Sequence, residues 1–182
     1  MIAEEPSFPD YLLDTSVLSR LLDSEHADHT AVRKWNDALP SESRKVLSVV
    51  VLAELRFGLE LAKAAHRTAI LPKLEGILRA AEQHDIVGIT RATEREYAVL
   101  KSALAAKYMP NRVQNRPNKG WGNPESWSDE FTGQALQIQE NDLWQCAQAM
   151  ERELIFASCD LGVEKMIAAV GAKLMVVKVP LS

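Results

Sequence analysis

The chain has 182 residues, of which 47% are hydrophobic and 25% charged, as expected for a globular protein of one domain. Its formal net charge of −4 gives no global indication of nucleic-acid binding, and its two cysteines match neither a zinc finger nor a disulfide-rich secreted scaffold. We find neither a signal peptide nor an apolar run that could cross a bilayer, so we expect a cytoplasmic protein with no membrane contact.

The first half of the chain alternates short apolar runs with helical patterns. The run "YLL" predicts a strand, followed by a helix over about Val17–Leu22 and an amphipathic helix in "HTAVRKWNDAL". Val46–Val50 predicts a second buried strand. The helical pattern of Leu52–Gln83 contains a proline, which cannot continue a helix interior, so a break near Thr68–Pro72 should produce a helical hairpin.

The second half repeats this alternation. "DIVGIT", "LIFAS" and "KLMVVKV" predict the third, fourth and fifth strands, and "RATEREYAVLKSALAAKYM" predicts a long helix after the third. Strands that alternate with helices favour a parallel sheet covered on both faces. We therefore predict a three-layer α/β/α fold with a mainly parallel, five-stranded central sheet, in a single domain spanning residues 1–182.

Pro110–Phe131 differs in composition from the rest of the chain. The stretch "PNRVQNRPNKGWGNPESWSDEF" is rich in Pro, Asn and Gly and is longer than an ordinary connection between elements. We interpret it as an insertion, for which function or disorder is the usual explanation.

Glu54 interrupts the apolar stretch "LSVVVLAELRFGLELA". On a helix that begins near Val51, Arg56 and Glu60 lie on the solvated side and Glu54 points the other way, beside Leu61. An ionised carboxylate on a buried face needs a cation, a proton or a set of hydrogen bonds. Glu54 is therefore a candidate functional residue.

Four carboxylates are predicted to lie at one edge of the sheet. Asp14 ends the first strand and Asp160 follows the fourth, whereas Glu54 and Asp142 lie in the first turns of the helices after the second strand and before the fourth. In an α/β sheet, strand ends and the following helix starts share the edge where ligands bind. Crowded carboxylates repel one another unless a cation or a proton is present, and an all-oxygen set suits Mg²⁺ or Mn²⁺.

Each acid also has an explanation that requires no metal. Asp14 could cap the helix that follows it, Asp142 could complement a helix dipole, and Asp160 could be a turn residue at a strand end. Glu54 is the hardest to explain in this way, because its side of the helix is otherwise apolar. The convergence of all four acids, rather than any one of them, predicts the metal site.

The ordered motifs "YLLDTSVLSRLL", "LSVVVLAELRFGLELA" and "ENDLWQCAQAMERELIFASCD" resemble the acidic motifs of PIN-domain ribonucleases. The similarity covers about Tyr11–Pro180 and is greatest to the VapC-type toxins of bacterial toxin–antitoxin pairs. It implies a metal-dependent endoribonuclease in which Asp14, Glu54, Asp142 and Asp160 hold Mg²⁺ or Mn²⁺ and position the attacking water. It also implies an RNA substrate, a cognate antitoxin and a homodimer.

Two hydroxyl residues match the family pattern less specifically. Ser16 falls where the family often has Asn or Ser, and Ser158 where it often has Thr or Ser. The resemblance suggests that both hydroxyls support the carboxylates or a water molecule at the metal, although local backbone hydrogen bonds would explain them equally well. The chain departs from the pattern at "DLGVEKM", where Gly162 and Val163 stand where many relatives have an acid and an aromatic residue.

A basic segment accompanies the insertion. Its four candidate RNA-binding residues have no acid among them and precede two tryptophans; they are Lys107, Arg112, Arg116 and Lys119. Basic residues near aromatic rings can follow a phosphate backbone and stack on unpaired bases. The alternative is a solvated loop whose tryptophans, Trp121 and Trp127, pack on the body of the protein.

Three functions are therefore compared. The favoured one is a Mg²⁺- or Mn²⁺-dependent endoribonuclease, the toxin of a type II toxin–antitoxin pair. The alternative is a catalytically degenerate PIN-like module that binds RNA or protein, which the four intact acids disfavour. A phosphatase with an aspartate nucleophile would need a second acid two residues beyond Asp14, where this chain has Ser16.

Overall fold

The computed structural model describes residues 8–115, 120–160 and 162–181. Five strands form one sheet in the order β3-β2-β1-β4-β5, and β1, β2 and β3 pair in parallel. The strands are β1 (Tyr11–Leu13), β2 (Lys45–Ser48), β3 (Asp85–Val87), β4 (Ile155–Ser158) and β5 (Val176–Lys178). The predicted α/β fold with a central five-stranded sheet is confirmed.

The chain divides into two compact units. The first contains Met1–Val87, Ala157–Cys159 and Val177–Ser182, and the second contains Gly88–Phe156 and Asp160–Val176. The single domain expected from the sequence stays a prediction. No helix in the described parts of the chain is long and apolar enough to cross a membrane.

Within its described residues, the first unit carries four α-helices. They are α1 (Thr15–Leu22), α2 (His29–Asp37), α3 (Val49–Ala64) and α4 (Leu71–Ala81). The predicted helical hairpin is confirmed: a short 3-10 turn at Thr68–Ile70 separates α3 from α4, and a proline stands in the first turn of α4, where its missing N–H costs nothing.

The predicted boundary between β2 and α3 lies too far toward the C-terminus. The strand ends at Ser48 rather than at Val50, because the Ser48 hydroxyl accepts a hydrogen bond from the Val50 N–H at 2.9 Å and caps the helix. Glu54 consequently lies in the second turn of α3, not in the first. The sequence "LSVVV" contained this cap, but its apolar neighbours favoured a longer strand.

The second unit contains α5 (Arg91–Tyr108), α6 (Pro110–Asn115), α7 (Glu140–Arg152) and α8 (Val163–Val170). Helix α5 packs against both α7 and α8. Tyr97 of α5 stacks on Trp144 of α7, with 3.9 Å between the ring centroids.

The predicted insertion contributes to the core of the second unit. Trp127 is 1% exposed, and its indole N–H donates to the Trp121 carbonyl at 2.8 Å. A backbone hydrogen bond from Leu136 to Trp127 and a bridge between Ser128 and Ala135 tie the segment together. For Trp127, the structure agrees with the alternative in which the tryptophans pack on the protein.

Candidate metal centre

Asp14 occupies the junction between β1 and α1 and is only 3% exposed. It is the N-cap of α1, because its side chain accepts a hydrogen bond from the Thr15 N–H at 2.7 Å. The expected capping role is therefore real. Capping uses only the Oδ1 oxygen of Asp14 and does not explain the contacts of Oδ2.

Two serine hydroxyls bond to the other oxygen of Asp14. Ser16 donates to Oδ2 from the first turn of α1, and Ser158 donates to Oδ2 at 2.9 Å from the end of β4. The Cys159 N–H donates in turn to the Ser16 hydroxyl at 3.1 Å. Asp14 thus accepts three hydrogen bonds, but no Lys, Arg or His side chain among the described residues pairs with it.

Glu54 lies in the same unit and is joined to this corner by Thr15. The Thr15 hydroxyl donates to the Glu54 carboxylate, while the Thr15 N–H donates to Asp14. Glu54 is half-buried, as expected for an inward-facing carboxylate. The expectation that Leu61 shares this buried side is wrong, because Leu61 is 56% exposed and the buried side of α3 carries Val51, Leu59 and Ala62.

Thr15 was not singled out from the sequence. It stands inside the motif "DTS", next to Asp14, but a threonine directly after a helix cap is too common to suggest a bridging role. Only the packing of α1 near α3 brings its hydroxyl to Glu54.

Asp142 is the third residue of α7 and is 9% exposed. Its Oδ2 accepts a hydrogen bond from the Gln139 N–H at 3.1 Å, which completes a capping box at the start of the helix. The expected role at a helix start is therefore present here as well.

Ionic contacts anchor the first turn of α7. Glu140 accepts hydrogen bonds from Tyr97 and Lys101 of α5, the latter at 2.9 Å. Burial alone would lower the pKa of Lys101, but hydrogen bonds to Tyr97 and Glu140 outweigh it and raise that pKa above its ordinary value. The ammonium therefore stays charged and holds the turn that carries Asp142.

Asp160 follows β4 by two residues and is exposed. Within the second unit, carboxylate oxygens of Asp142 and Asp160 lie within 4.8 Å of one another. Two carboxylates at this separation repel unless a cation or a proton lies between them, and oxygen ligands of this kind suit a hard divalent cation. The donor chemistry of both units thus fits Mg²⁺ or Mn²⁺.

The PIN domain model matches residues 11–167, which is most of the chain and includes all four acids. The chain belongs to the PIN domain family. A comparison with curated proteins found no significant match.

Solved structures of toxin–antitoxin complexes share the fold of this PIN domain. VapBC2 from Rickettsia felis, bound to promoter DNA, matches with a TM-score of 0.58 and 14% identity over 92% of this chain and 96% of that chain. VapBC-1 from nontypeable Haemophilus influenzae matches with a TM-score of 0.57 and 17% identity over 92% of this chain and 96% of that chain. VapBC-5 from Mycobacterium tuberculosis matches with a TM-score of 0.55 and 21% identity over 94% of this chain and 100% of that chain.

The candidate RNA-binding residues of this PIN domain lie partly within the described chain. Lys107 is exposed on α5. Arg112 donates to the Trp121 carbonyl at 3.2 Å and lies 5.6 Å from the Trp121 ring centre, so part of its guanidinium is used in closing the insertion. Arg116 and Lys119 lie outside the described residues.

Proposed function

We propose that this PIN domain is a metal-dependent endoribonuclease in which Asp14, Glu54, Asp142 and Asp160 hold Mg²⁺ or Mn²⁺. The observation that carries the proposal is the environment of Asp14, a carboxylate that is 3% exposed, accepts three hydrogen bonds and has no cationic side chain paired with it among the described residues. Asp14, Asp142 and Asp160 each offer a carboxylate oxygen as a candidate metal ligand. A bound divalent cation would balance the negative charge that the hydrogen bonds leave on Asp14.

The side chains around the acids have distinct tasks under this proposal. Ser16 and Ser158 hold the Asp14 carboxylate in one orientation, and Thr15 does the same for Glu54. The cation, when bound, would activate water and stabilise negative charge on the oxygens of a phosphodiester. Local basic side chains must attract the RNA, because the protein as a whole carries a net charge of −4. We assign this task to Lys107 and Arg112, with Arg116 and Lys119.

We further propose that the protein is the toxin of a toxin–antitoxin pair. The support is the shared fold with the toxin–antitoxin complexes described above. A small neighbouring reading frame should then encode a DNA-binding antitoxin. Co-expression of the two proteins should yield a complex that purifies together and has no cleavage activity.

A second copy of the chain is a further proposed partner. Helix α3 presents Phe57, 69% exposed, one turn from Leu61, 56% exposed. Adjacent exposed apolar side chains of this size are typical of protein interfaces. Light scattering after size exclusion should give twice the chain mass of 20.2 kDa for the wild type and a shift toward the single-chain mass for Phe57→Lys. A monomeric wild type would contradict the homodimer.

RNA cleavage tests the enzymatic proposal directly. Wild type, Asp14→Asn and the control Asp85→Asn are incubated with labelled single-stranded and structured RNA in Mg²⁺, Mn²⁺ or EDTA. Asp85 is a suitable control because it is an exposed acid at the first residue of β3, whereas Asp14 follows the last residue of β1. We expect metal-dependent cleavage by the wild type and the control, and a rate at least about 100-fold lower for Asp14→Asn.

Two results would contradict the proposed nuclease activity. Cleavage that persists in EDTA would remove the role of the metal. If no protein cuts any RNA, and calorimetry detects no Mn²⁺ binding by the folded wild type, the degenerate RNA- or protein-binding module would replace the enzyme.

A further inference from the structure

Residues 135–138, which we call the strap, lead directly into α7 and Asp142. Leu136 and Ile138 of the strap are buried, and the Gln137 backbone between them adopts φ +57°, a left-handed conformation that is unfavourable for a residue with a side chain. A strap in this conformation needs external contacts to hold it. It receives them from the segment that follows Asp160.

Lys165 of α8 holds the strap through two hydrogen bonds, which we call the clasp. Its ammonium donates to the Ala135 carbonyl at 2.8 Å and to the Leu136 carbonyl at 2.9 Å. Lys165 is half-buried, and Tyr108 of α5 donates to the Lys165 backbone carbonyl at 3.5 Å. A lysine that bonds to two successive carbonyls of a distant segment fixes the position of that segment relative to its own helix.

Gly162 allows the same two segments to approach closely. A Cβ atom at Gly162 would lie 2.3 Å from the Gln137 carbonyl oxygen, a distance that no side chain tolerates. Gly162 has an ordinary helical φ of −60°, so the requirement for glycine here comes from space and not from backbone conformation. The close approach also accounts for the glycine in "DLGVEKM", where the family resemblance suggested an acid.

The contacts between the strap and the segment of Gly162 and Lys165 flank the two acids of the second unit along the chain. Asp160 precedes Gly162 by two residues, and Asp142 follows Ile138 by four. The two carboxylates lie within 4.8 Å of one another. A shift of the strap relative to α8 would therefore change the distance between the two acids.

We propose that Lys165 is a positioning residue, which holds the strap against α8 and thereby sets the spacing of Asp142 and Asp160 as ligands of a divalent cation. The proposal rests on the metal site proposed above. Its role differs from that of a ligand, because Lys165 acts through backbone carbonyls and carries no oxygen for the cation. Contacts that orient metal ligands typically change metal affinity 10- to 100-fold.

Mn²⁺ binding to the full-length protein tests this role. Isothermal titration calorimetry compares the wild type with Lys165→Met, which keeps the aliphatic stem but removes the donors, and with Lys165→Arg, which keeps the charge and two donors. Lys173→Met, an exposed lysine in the same unit, is the matched control. We expect Lys165→Met to raise the Kd for Mn²⁺ about 10- to 100-fold, Lys165→Arg to remain within about 3-fold of the wild type and the control to be unchanged.

Gly162→Ala provides an independent test of the same spacing. Its new Cβ must displace the Gln137 carbonyl, so we expect a weaker Mn²⁺ affinity even though Lys165 is intact. Gly58→Ala is the control, because a Cβ at Gly58 meets no atom within 4 Å. Thermal unfolding of each variant verifies that the protein compared is folded.

The outcomes separate the clasp from the metal site itself. If the wild type binds Mn²⁺ and Lys165→Met binds it equally well, the clasp is overturned and the nuclease proposal stands. If Lys165→Arg is as weak as Lys165→Met, the two carbonyl hydrogen bonds are not the cause, and the positioning role fails. A folded wild type that binds no Mn²⁺ overturns both proposals together.

Discussion

The two units of this PIN domain hold their acids in different ways. In the first unit, Asp14 takes two of its three hydrogen bonds from Thr15 and Ser16, the residues directly after it. In the second unit, Asp142 and Asp160 are 18 positions apart; Asp142 takes a local hydrogen bond from Gln139, but the contacts that hold the start of α7 join segments that are distant along the chain. Lys165 bonds to Ala135 and Leu136, and Lys101 bonds to Glu140.

This difference predicts where each acid is vulnerable. The Asp14 corner should respond mainly to changes in its own hydroxyl neighbours, because these hydroxyls donate directly to the carboxylate. The Asp142–Asp160 pair should respond to changes that touch neither acid, because packing of the insertion and of α5 determines where the start of α7 lies. Four substitutions test this comparison.

The largest expected effect comes from Trp127→Ala in the insertion. Trp127 is 1% exposed, and its backbone carbonyl accepts the hydrogen bond from Leu136 that ties the insertion to the strap. We expect the free energy of unfolding to fall by about 3–5 kcal/mol, measured by urea denaturation. Phe131→Ala, at a position 75% exposed, should change it by less than about 0.5 kcal/mol. Equal effects would show that the insertion is not part of the core.

Ser158→Ala tests the Asp14 corner. The hydroxyl is buried and donates to Oδ2 of Asp14 at 2.9 Å, so its removal deprives a buried carboxylate of one of three donors. We expect a loss of about 1–2 kcal/mol in the free energy of unfolding. Ser102→Ala, an exposed serine on α5, is the control. An unchanged stability for Ser158→Ala would mean that Ser16 and Thr15 alone suffice for the carboxylate.

Lys101→Met tests the anchor of α7. The Lys101 and Glu140 side chains are 27% and 33% exposed, so solvent screens part of their attraction. We expect a loss of about 1 kcal/mol in the free energy of unfolding, together with a faster hydrogen exchange of the first amides of α7. Lys107→Met, on the exposed surface of the same helix, should leave both quantities unchanged. Identical exchange in both variants would contradict the anchor.

Glu151→Gln should have the smallest effect and the clearest pH dependence. Burial alone would raise the pKa of Glu151, but hydrogen bonds from Thr93 and Thr90 and the nearby Arg152 outweigh burial and lower the pKa. A carboxylate whose pKa is lowered in the folded state stabilises the protein at every pH above the ordinary pKa of 4.5. This contribution is lost as the pH falls through the lower pKa of the folded state.

The measurement is the free energy of unfolding between pH 7 and the acid limit of folding. The wild type should lose more stability than Glu151→Gln on acidification, and Glu153→Gln, an exposed neighbour, should retain the slope of the wild type. Parallel curves for the wild type and Glu151→Gln would show that the folded and unfolded pKa values of Glu151 coincide.

Sequence reasoning identified the elements more accurately than their limits. Alternation of apolar and helical patterns predicted all five strands and the hairpin at Thr68–Pro72, because periodicity and proline act locally. It missed the cap at Ser48 and therefore placed Glu54 one turn too early. It also assigned Leu61 to the buried side of α3, because periodicity identifies an apolar stripe but not the surface against which it packs.

The family of this protein was determined by its sequence alone, because the ordered acids and their neighbouring apolar runs are local features of the chain. The same is true of the Asp14 cap, which needs only the residues "DTS". Tertiary structure decided what the patterns could not contain: the bond from Thr15 to Glu54, the burial of Trp127 and the close approach of Gly162 to Gln137. The first and the last join residues far apart in the chain, and all three depend on packing across the unit rather than on any local preference.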